Sequence, residues 1–495
     1  MNSDICKNWI LASGIILSVF IALVCHAAYN HSGDTDSVNF RSVYPQAIGT
    51  KLDSCTACHA GGSYVSGGKT TTLGSCQWCH YVTNYGANPG TNNSNYLNTL
   101  NAYGLDYLSH GRNAAAVGAI EDLDSDGDGY SNKVEIAALR YPGDSKDNPS
   151  KVAAPYKVFT RDQIEAMPQH TQFLLMNASK STDTYSQYAG VTVENLLNPL
   201  KLPSAIAVTV LSPDGFSQLH PFQYDPNPSL YNIYGTYPAA NFYYNDQADY
   251  IKHPTTGWCD YSAPSAQGRN NGDPIVNPDG LKMILAIKRD GQYLDPGVLG
   301  ADNKLGGEGP YRLIPPQKVP GPPDQRSTAT NATNPSVWVW PYDANADHNA
   351  GFSSRSVTMI RVEPLPAGTT DINTMEAGWP YIDAAKIVVY GAIDPLDNIN
   401  DKLTQVIATV DTIPQGSFKR AFGKWTLKTQ LQTIESIIAK GDYAWAYYNL
   451  QQNVLGNMHA CPNSGYPNDW LKDCDAQTNL YWAVYEISML LKILT

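Results

Sequence analysis

The pattern of hydrophobic and polar residues changes along this chain of 495 residues. From Val158 to about Asp394, short apolar and β-branched runs alternate with turns rich in Pro, Gly and Asn. Four of these runs predict strands: Ala205–Leu211, Leu281–Ile287, Ser356–Val362 and Lys386–Tyr390. From Asn398 onward, apolar residues recur at spacings of three and four, which predicts three helices: Phe422–Lys440, Tyr443–Leu455 and Asn479–Leu494. We therefore expect a β-rich central domain followed by a small α-helical domain.

The part of the chain before these domains has little periodic pattern. Residues 28–155 are rich in Gly, Asn and Ser and show one helical patch, Asn113–Ile120. Before them, Lys7 precedes an apolar stretch that ends at Val24, which predicts a secretory signal over residues 1–27. An uncleaved anchor is the alternative, although about 16 apolar residues are few for a bilayer span. The predicted class is a multidomain α+β protein with domains 28–155, 156–395 and 396–495, periplasmic or extracellular.

Charge and cysteine content narrow the function classes. The formal net charge is −12, which argues against nucleic acid or an anionic membrane as a partner. No second apolar run is long enough to cross a bilayer, so we expect no membrane span after signal cleavage. In an exported protein the short spacing of Cys461 and Cys474 favours a disulfide. For Cys259 three interpretations stay open: a buried side chain, an unbridged thiol or a ligand.

One short motif occurs twice in the loop-rich segment, as Cys55-Thr-Ala-Cys58-His59 and Cys76-Gln-Trp-Cys79-His80. Two thiols at this spacing attach to the vinyl groups of a porphyrin, and the next histidine binds its iron. Cys-x-x-Cys pairs also bind zinc, but a histidine directly after the second cysteine in both copies favours haem. The sequence thus predicts two covalent haem c groups, with His59 and His80 as iron ligands.

The second axial ligand of each iron decides the chemistry. No methionine lies between Ala28 and Pro155, and the only further histidines there are His31 and His110. If both irons have two histidine ligands, His31 and His110 are the candidates. Such ligation closes the iron to small substrates, which favours electron transfer over catalysis. A haem with an open coordination position is the competing hypothesis.

A candidate calcium loop follows the second motif. The run from Asp124 to Glu135 matches a twelve-residue EF-hand loop at each ligand position. The predicted ligands are the side chains of Asp124, Asp126, Asp128, Asn132 and Glu135 and the carbonyl of Tyr130. Gly129 stands where the loop must turn sharply. Outside the cell calcium is plentiful, so we expect a structural ion; a solvated acidic turn is the alternative.

The same region carries a family resemblance. The run from Asn101-Ala-Tyr-Gly104 through Leu123-Asp-Ser-Asp-Gly-Asp-Gly129 to Pro142-Gly-Asp144 resembles cytochrome domains of exported bacterial multihaem proteins. In those domains a CxxCH motif is followed by a "YG … DSDGDG … PGD" run. The resemblance covers about 120 residues and implies a loop-rich dihaem cytochrome c domain.

The central domain carries a second resemblance. Six fragments in order resemble the molybdopterin-binding domain of the sulfite oxidase family: 159–168, 188–197, 208–216, 283–291, 309–314 and 357–362. In that family a cysteine before the second fragment ligates molybdenum. Here the stretch Phe173-Leu-Leu-Met-Asn-Ala-Ser179 contains Met176 and Asn177 but no cysteine. A thioether or an amide does not replace a soft thiolate. We therefore expect the fold without the metal, as a scaffold or docking module.

The residues favour one functional class and leave two alternatives open. The favoured class is an exported dihaem c-type cytochrome that passes electrons to and from other redox proteins, such as cytochromes. One alternative is a haem-linked oxidoreductase with a cofactor site in the central domain. The other is a surface or filament subunit, for which the Tyr- and Asn-rich composition offers slight support.

Overall fold

The fold was obtained as a computed structural model, which describes only part of the chain. The described residues are 35–48, 50–53, 55–60, 63–66, 69–72, 99–179, 182–223, 231–237, 243–246, 259–299, 305–324, 343–372, 374–459 and 469–495. Several residues of the sequence analysis lie outside these ranges: the signal 1–27, His31, the motif Cys76, Cys79 and His80, and Cys461.

The N-terminal segment is built from short elements joined by turns. They are α1 Thr35–Val43, β1 Ser63–Ser66, β2 Lys69–Thr72, α2 Ala102–Ser109, α3 Ala114–Ala119 and α4 Asn132–Ala137. Asn101 and Asn113 begin α2 and α3, because each side chain accepts a hydrogen bond from the third backbone N–H that follows. A small core rich in tyrosine, including Tyr103 and Tyr141, connects α1 with the later helices.

The central segment contains two sheets. Its strands are β3 Tyr156–Thr160, β4 Gln169–Met176, β5 Asp183–Thr192, β6 Ala207–Leu211, β7 Ser217–Pro221, β8 Cys259–Asp260, β9 Ile284–Arg289, β10 Gln292–Tyr293, β11 Val298–Leu299, β12 Leu305–Gly306, β13 Arg312–Ile314, β14 Met359–Glu363 and β15 Lys386–Gly391. One sheet has the order β3-β15-β14-β6-β7. The other has the order β10-β9-β5-β4, with β13 paired to β9 and β8 paired to β5. Short helices accompany them: α5 Arg161–Glu165, α6 Val193–Leu197, α7 Thr374–Ala377 and α8 Trp379–Asp383.

Alternating side chains give the central segment its core. In β15, Ile387 and Val389 face a core shared with the other sheet, whereas Val388 and Tyr390 face a smaller cluster on the opposite side. Successive strand residues point to opposite faces, so this five-stranded sheet buries both of its surfaces here.

The C-terminal segment is helical. Its helices are α9 Leu396–Thr412, α10 Gly423–Ile438, α11 Tyr443–Asn449 and α12 Cys474–Ile493. Apolar residues three and four positions apart, among them Leu427, Leu431 and Ile434 of α10, form one buried cluster. Asp473 begins α12, since its carboxylate accepts from two backbone N–H groups of the first turn.

Specific contacts join the N-terminal segment to the other two. Lys51 forms ion pairs with Asp147 (2.8 Å) and with Glu376 of α7 (2.9 Å). The ring of Tyr130, in the calcium-like loop, meets the edge of Trp482 in α12 at 5.7 Å between centroids. The loop and α4 are therefore packed directly against the last helix.

The mixed α+β class predicted from the pattern is confirmed. The predicted strands and helices form, with two differences in the C-terminal segment. Helix α12 begins at Cys474, five residues before the predicted Asn479, and α11 ends at Asn449, after which a π-helical turn covers Leu450–Val454. Cys474 is disulfide-bonded, and Cys259 is buried and outside any disulfide. Among the described residues, no helix combines the length and the apolarity that crossing a bilayer requires.

Candidate functional site

The first Cys-x-x-Cys-His motif forms one tight turn. The backbone N–H groups of Cys58 and His59 both donate to the carbonyl of Cys55, at 3.1 and 2.9 Å. Cys55 and Cys58 are not joined in a disulfide. Both cysteines and His59 line a single pocket, so the structure brings the three predicted haem-binding side chains of this motif together.

That pocket has the lining of a cofactor site. Its cavity volume is about 90 Å³, below the usual range for ligand pockets, and it opens to solvent. Its apolar wall comes from α1, α2 and the segments beside them: Phe40, Leu52, Ala57, Leu100 and Leu108. An apolar pocket with two thiols and an imidazole on its wall fits a covalently attached porphyrin.

The imidazole of His59 is oriented by a threonine. Its Nδ1 lies 2.7 Å from Oγ1 of Thr99, which is 1% exposed. A β-bridge between His59 and Leu100 holds the two segments side by side. Ligating histidines in proteins usually use one ring nitrogen for the metal and the other for such a hydrogen bond. With Nδ1 engaged by Thr99, Nε2 is the candidate ligand atom for an iron.

Helix α2 packs against the backbone of the motif. Asn101 donates from its side chain to the carbonyl of Ala57 at 3.1 Å, and its backbone N–H donates to the carbonyl of Cys58 at 2.9 Å. A Cβ atom added at Gly104 would lie 2.2 Å from the Cys58 carbonyl oxygen. The close approach explains why a glycine stands at this helical position.

Two arginines stand at the edge of the pocket, each beside an aspartate. Arg112 forms a bidentate pair with Asp36, with contacts of 2.6 to 3.1 Å. Arg41 lies 3.4 Å from Asp53. Tyr107 donates to Asp36 at 2.9 Å. Each arginine at this edge is therefore already paired with a carboxylate of the chain.

Of the other predicted haem ligands, His110 alone lies among the described residues, and it is outside this pocket. His110 is exposed at the C-terminal end of α2, where its Nδ1 lies 2.8 Å from the carbonyl oxygen of Asp106. It is not among the residues that line the pocket. His31 and the second motif lie outside the described residues.

The predicted calcium loop gathers its carboxylates around one point. Oxygens of Asp124, Asp126 and Asp128 lie within 4.8 Å of one another. Asp124 also accepts backbone N–H groups of the loop, from Gly127 at 2.8 Å and from Gly129 at 2.9 Å. Gly129 has φ +100°, the left-handed conformation that the sharp turn requires.

Glu135 is buried near this cluster, outside the group of three carboxylates within 4.8 Å of one another. Its side chain is fully buried, and neither carboxylate oxygen has a hydrogen-bond partner among the described residues. Burial and the neighbouring Asp126 and Asp128 raise the pKa of Glu135 to about 10. Burial and Asp128 likewise raise the pKa of Asp126 to about 6. A buried carboxylate without a partner is costly unless a cation neutralises it, so the donor set fits Ca²⁺.

Two predicted calcium ligands have further roles. The amide of Asn132 is buried and donates to the carbonyl of Ile120 at 2.7 Å and to Oγ of Ser125 at 2.9 Å. These two hydrogen bonds of the Asn132 amide connect the end of the loop to its beginning and to the segment before it. The backbone N–H of Tyr130 donates to Asp128 at 3.1 Å, while its ring contacts Trp482. Tyr130 therefore connects the loop to helix α12.

A second, more polar pocket lies in the central segment. Its cavity volume is about 600 Å³, and Arg289, Arg312 and Arg355 are among its lining residues. Glu308 binds Arg289 at 2.8 Å and Arg312 at 2.9 Å. Burial opposes ionisation of Glu308, yet the two guanidinium groups hold the pKa of its carboxyl below the usual value.

The sulfur donor in this second pocket is a thioether. Met176 lines the pocket at the end of β4, and its Sδ lies 3.7 Å from the Nδ2 of Asn349. No cysteine is among the residues that line the pocket. Molybdenum in the sulfite-oxidase-like arrangement needs a thiolate, so these residues do not fit that metal.

No protein-family model, no curated protein and no solved structure matches this chain. The assignment of the sites therefore depends on their residues and geometry.

The sequence motifs did not predict the residues that surround and position the predicted site residues. Thr99 orients His59, and Arg112 and Arg41 pair with aspartates at the edge of the first pocket. Thr99 lies forty residues from His59, so no local pattern connects them. Gly104 did have a signal, since it stands in the Tyr-Gly part of the cytochrome-like run.

Proposed function

We propose that this protein is an exported c-type cytochrome with two haem groups that carries electrons between redox partners. The observation that supports the proposal most strongly is the first pocket, where two thiols and an oriented imidazole share one wall. Haem c, when bound, supplies a one-electron carrier.

The residues around the first pocket have distinct roles in this proposal. Cys55 and Cys58 anchor the group covalently, and His59 holds the iron through Nε2 while Thr99 fixes the ring. Asn101 and Gly104 hold α2 against the motif, which keeps the thiols and the imidazole in register. The second motif and His31 and His110 remain candidates for the second haem and for the outer axial ligands.

The calcium loop is proposed to be structural. Calcium would neutralise the buried Glu135 and the three aspartates, and the loop would then hold α4 and Tyr130 against α12. Its position between two segments favours a stabilising role over a catalytic one.

We propose that the central segment serves as a scaffold with a sulfite-oxidase-like fold and without molybdenum. Met176 in place of a thiolate supports this. The polar pocket with three arginines favours the second candidate, a haem-linked oxidoreductase, since a pocket of this size is large enough for a ligand.

Spectroscopy and metal analysis of the purified mature protein separate these proposals. We expect a mass increase for two haem groups, low-spin spectra for both, no carbon monoxide binding after reduction, and no molybdenum. One high-spin haem or one molybdenum per chain would favour the oxidoreductase. A colourless protein would refute the cytochrome itself. Polymers on a sizing column at micromolar concentration would favour the filament subunit.

A further inference from the structure

The two most exposed large hydrophobic side chains of the described residues stand next to each other at the start of helix α10. Phe422 is 76% exposed and Trp425 is 68% exposed. They are three positions apart, a spacing that places side chains on neighbouring parts of a helix surface. The opposite face of α10, with Leu427 and Leu431, is buried in the helical core. The exposed pair is therefore not needed to fill that core.

Positive charge surrounds this aromatic pair. Four cations lie between residues 419 and 428, and no Asp or Glu occurs from 412 to 434: the cations are Lys419, Arg420, Lys424 and Lys428. Asp411 pairs with Lys428 at 2.6 Å, and Asp469 lies 3.9 Å from Lys419. The guanidinium of Arg420 is exposed and makes no ion pair with another described residue. The patch is thus positively charged although the chain as a whole is acidic.

The shape of the patch fits a bilayer surface better than a protein. A standard protein interface has a broad apolar core and a polar rim. Here only two rings project from one helix end, and cations stand beside them. Trp and Phe rings beside Lys and Arg are typical of elements that lie at the level of lipid headgroups.

The net charge of −12 does not prevent such binding. At physiological ionic strength, charges farther than about 8 Å from a surface are largely screened. Only the residues near the contact then determine its sign. We propose that Phe422, Trp425 and the cations around them bind the surface of an anionic phospholipid bilayer, with the rings inserted among the headgroups.

Sedimentation of the mature, haem-loaded protein with lipid vesicles tests the proposal. We expect at least about tenfold stronger binding to vesicles with roughly 30% phosphatidylglycerol than to pure phosphatidylcholine, and weaker binding at high salt. The double variant Phe422→Ser with Trp425→Ser should reduce binding about tenfold, and Arg420→Gln should reduce it about threefold. Both changes are at exposed positions, so the melting temperature should stay near that of the parent.

Two matched variants serve as controls. Trp445 on α11 is 51% exposed but lies outside the basic stretch, and Lys440 is exposed at the far end of α10. Trp445→Ser and Lys440→Gln should leave vesicle binding unchanged. Equal binding to both kinds of vesicle, no binding, or full binding by the double variant would overturn the proposal. Sedimentation without vesicles that the double variant abolishes would indicate a second copy as the partner, and would also overturn it.

Discussion

The pocket around His59 and the pocket around Met176 differ in the side chains that line them. The His59 pocket is the smaller, about 90 Å³ against 600 Å³, but its wall carries two thiols and an oriented imidazole. The Met176 pocket carries arginines that are already paired with Glu308. Its only sulfur donor belongs to Met176, and an amide contacts it.

The comparison teaches that donor chemistry, more than cavity volume, decides which region can hold a metal. Soft thiolates and imidazoles bind iron and zinc, whereas a thioether is a weak ligand. The segments around the two pockets also differ. The large core of the central segment joins residues of both sheets, whereas the N-terminal segment has a smaller core built from short elements.

The largest expected effect is the loss of one haem. Replacing Cys55 and Cys58 by Ser should remove one of two covalently bound tetrapyrroles from the mature protein, because the thioether bonds of the first motif are then absent. Intact-mass measurement and the haem absorbance check this. Cys259→Ser is the control, since Cys259 is buried in the central segment. Unchanged haem content in the double variant would contradict the assignment of the His59 pocket.

The next effect tests whether the Met176 pocket is held by its own ion pairs. Glu308→Gln leaves Arg289 and Arg312 without their shared carboxylate and should lower the free energy of unfolding by about 3 kcal/mol. Denaturant unfolding measures it. Asp397→Asn, at an exposed pair with Lys157, should cost less than about 0.5 kcal/mol. A similarly small loss in Glu308→Gln would show that these arginines are available for another anion.

A glycine substitution tests the support of the His59 pocket. Gly104→Ala places a Cβ against the Cys58 carbonyl and should destabilise by about 2 kcal/mol. Gly118→Ala is the matched change in helix α3, where no atom lies within 4 Å of the added carbon. It should stabilise by about 0.5 kcal/mol or more, because alanine favours a helix. Equal effects in thermal unfolding would contradict the close packing of α2 on the motif.

For the calcium loop, we expect the effect of Glu135→Gln on stability to have opposite signs without and with calcium. The pKa of Glu135 is raised to about 10 in the folded, metal-free protein, above its unfolded value. The folded state then binds more protons than the unfolded state, so this contribution is present at low pH and is lost as pH rises from about 4.5 toward 10. With chelator at pH 8, Glu135→Gln should therefore be more stable than the parent, by on the order of 2 kcal/mol.

Calcium should reverse that order. With excess Ca²⁺ the parent should melt at a higher temperature than Glu135→Gln, because the ion neutralises the carboxylate and binds to the folded state. Melting curves of both proteins, with chelator and with calcium at pH 5 and pH 8, give the comparison. A parent protein that melts identically under all these conditions would exclude a calcium site.

Local sequence patterns predicted the candidate site residues and several helices and strands of this protein. Two short sequence motifs, the Cys-x-x-Cys-His motif and the twelve-residue acidic loop, predicted the residues of both candidate sites. Periodicity located the strand Lys386–Gly391 and the helix Gly423–Ile438 to within a few residues. These features are predictable because each depends on residues that are near neighbours in the chain.

Other properties depend on residues that are distant in sequence, and only the tertiary structure decided them. The contact of Thr99 with His59, the complete burial of Glu135 and the contact of Tyr130 with Trp482 join separate segments. The basic stretch around Trp425 is visible in the sequence, but only the structure shows that Phe422 and Trp425 are exposed there instead of buried. The sequence determines which side chains occur close together along the chain, and tertiary packing determines which distant side chains come into contact.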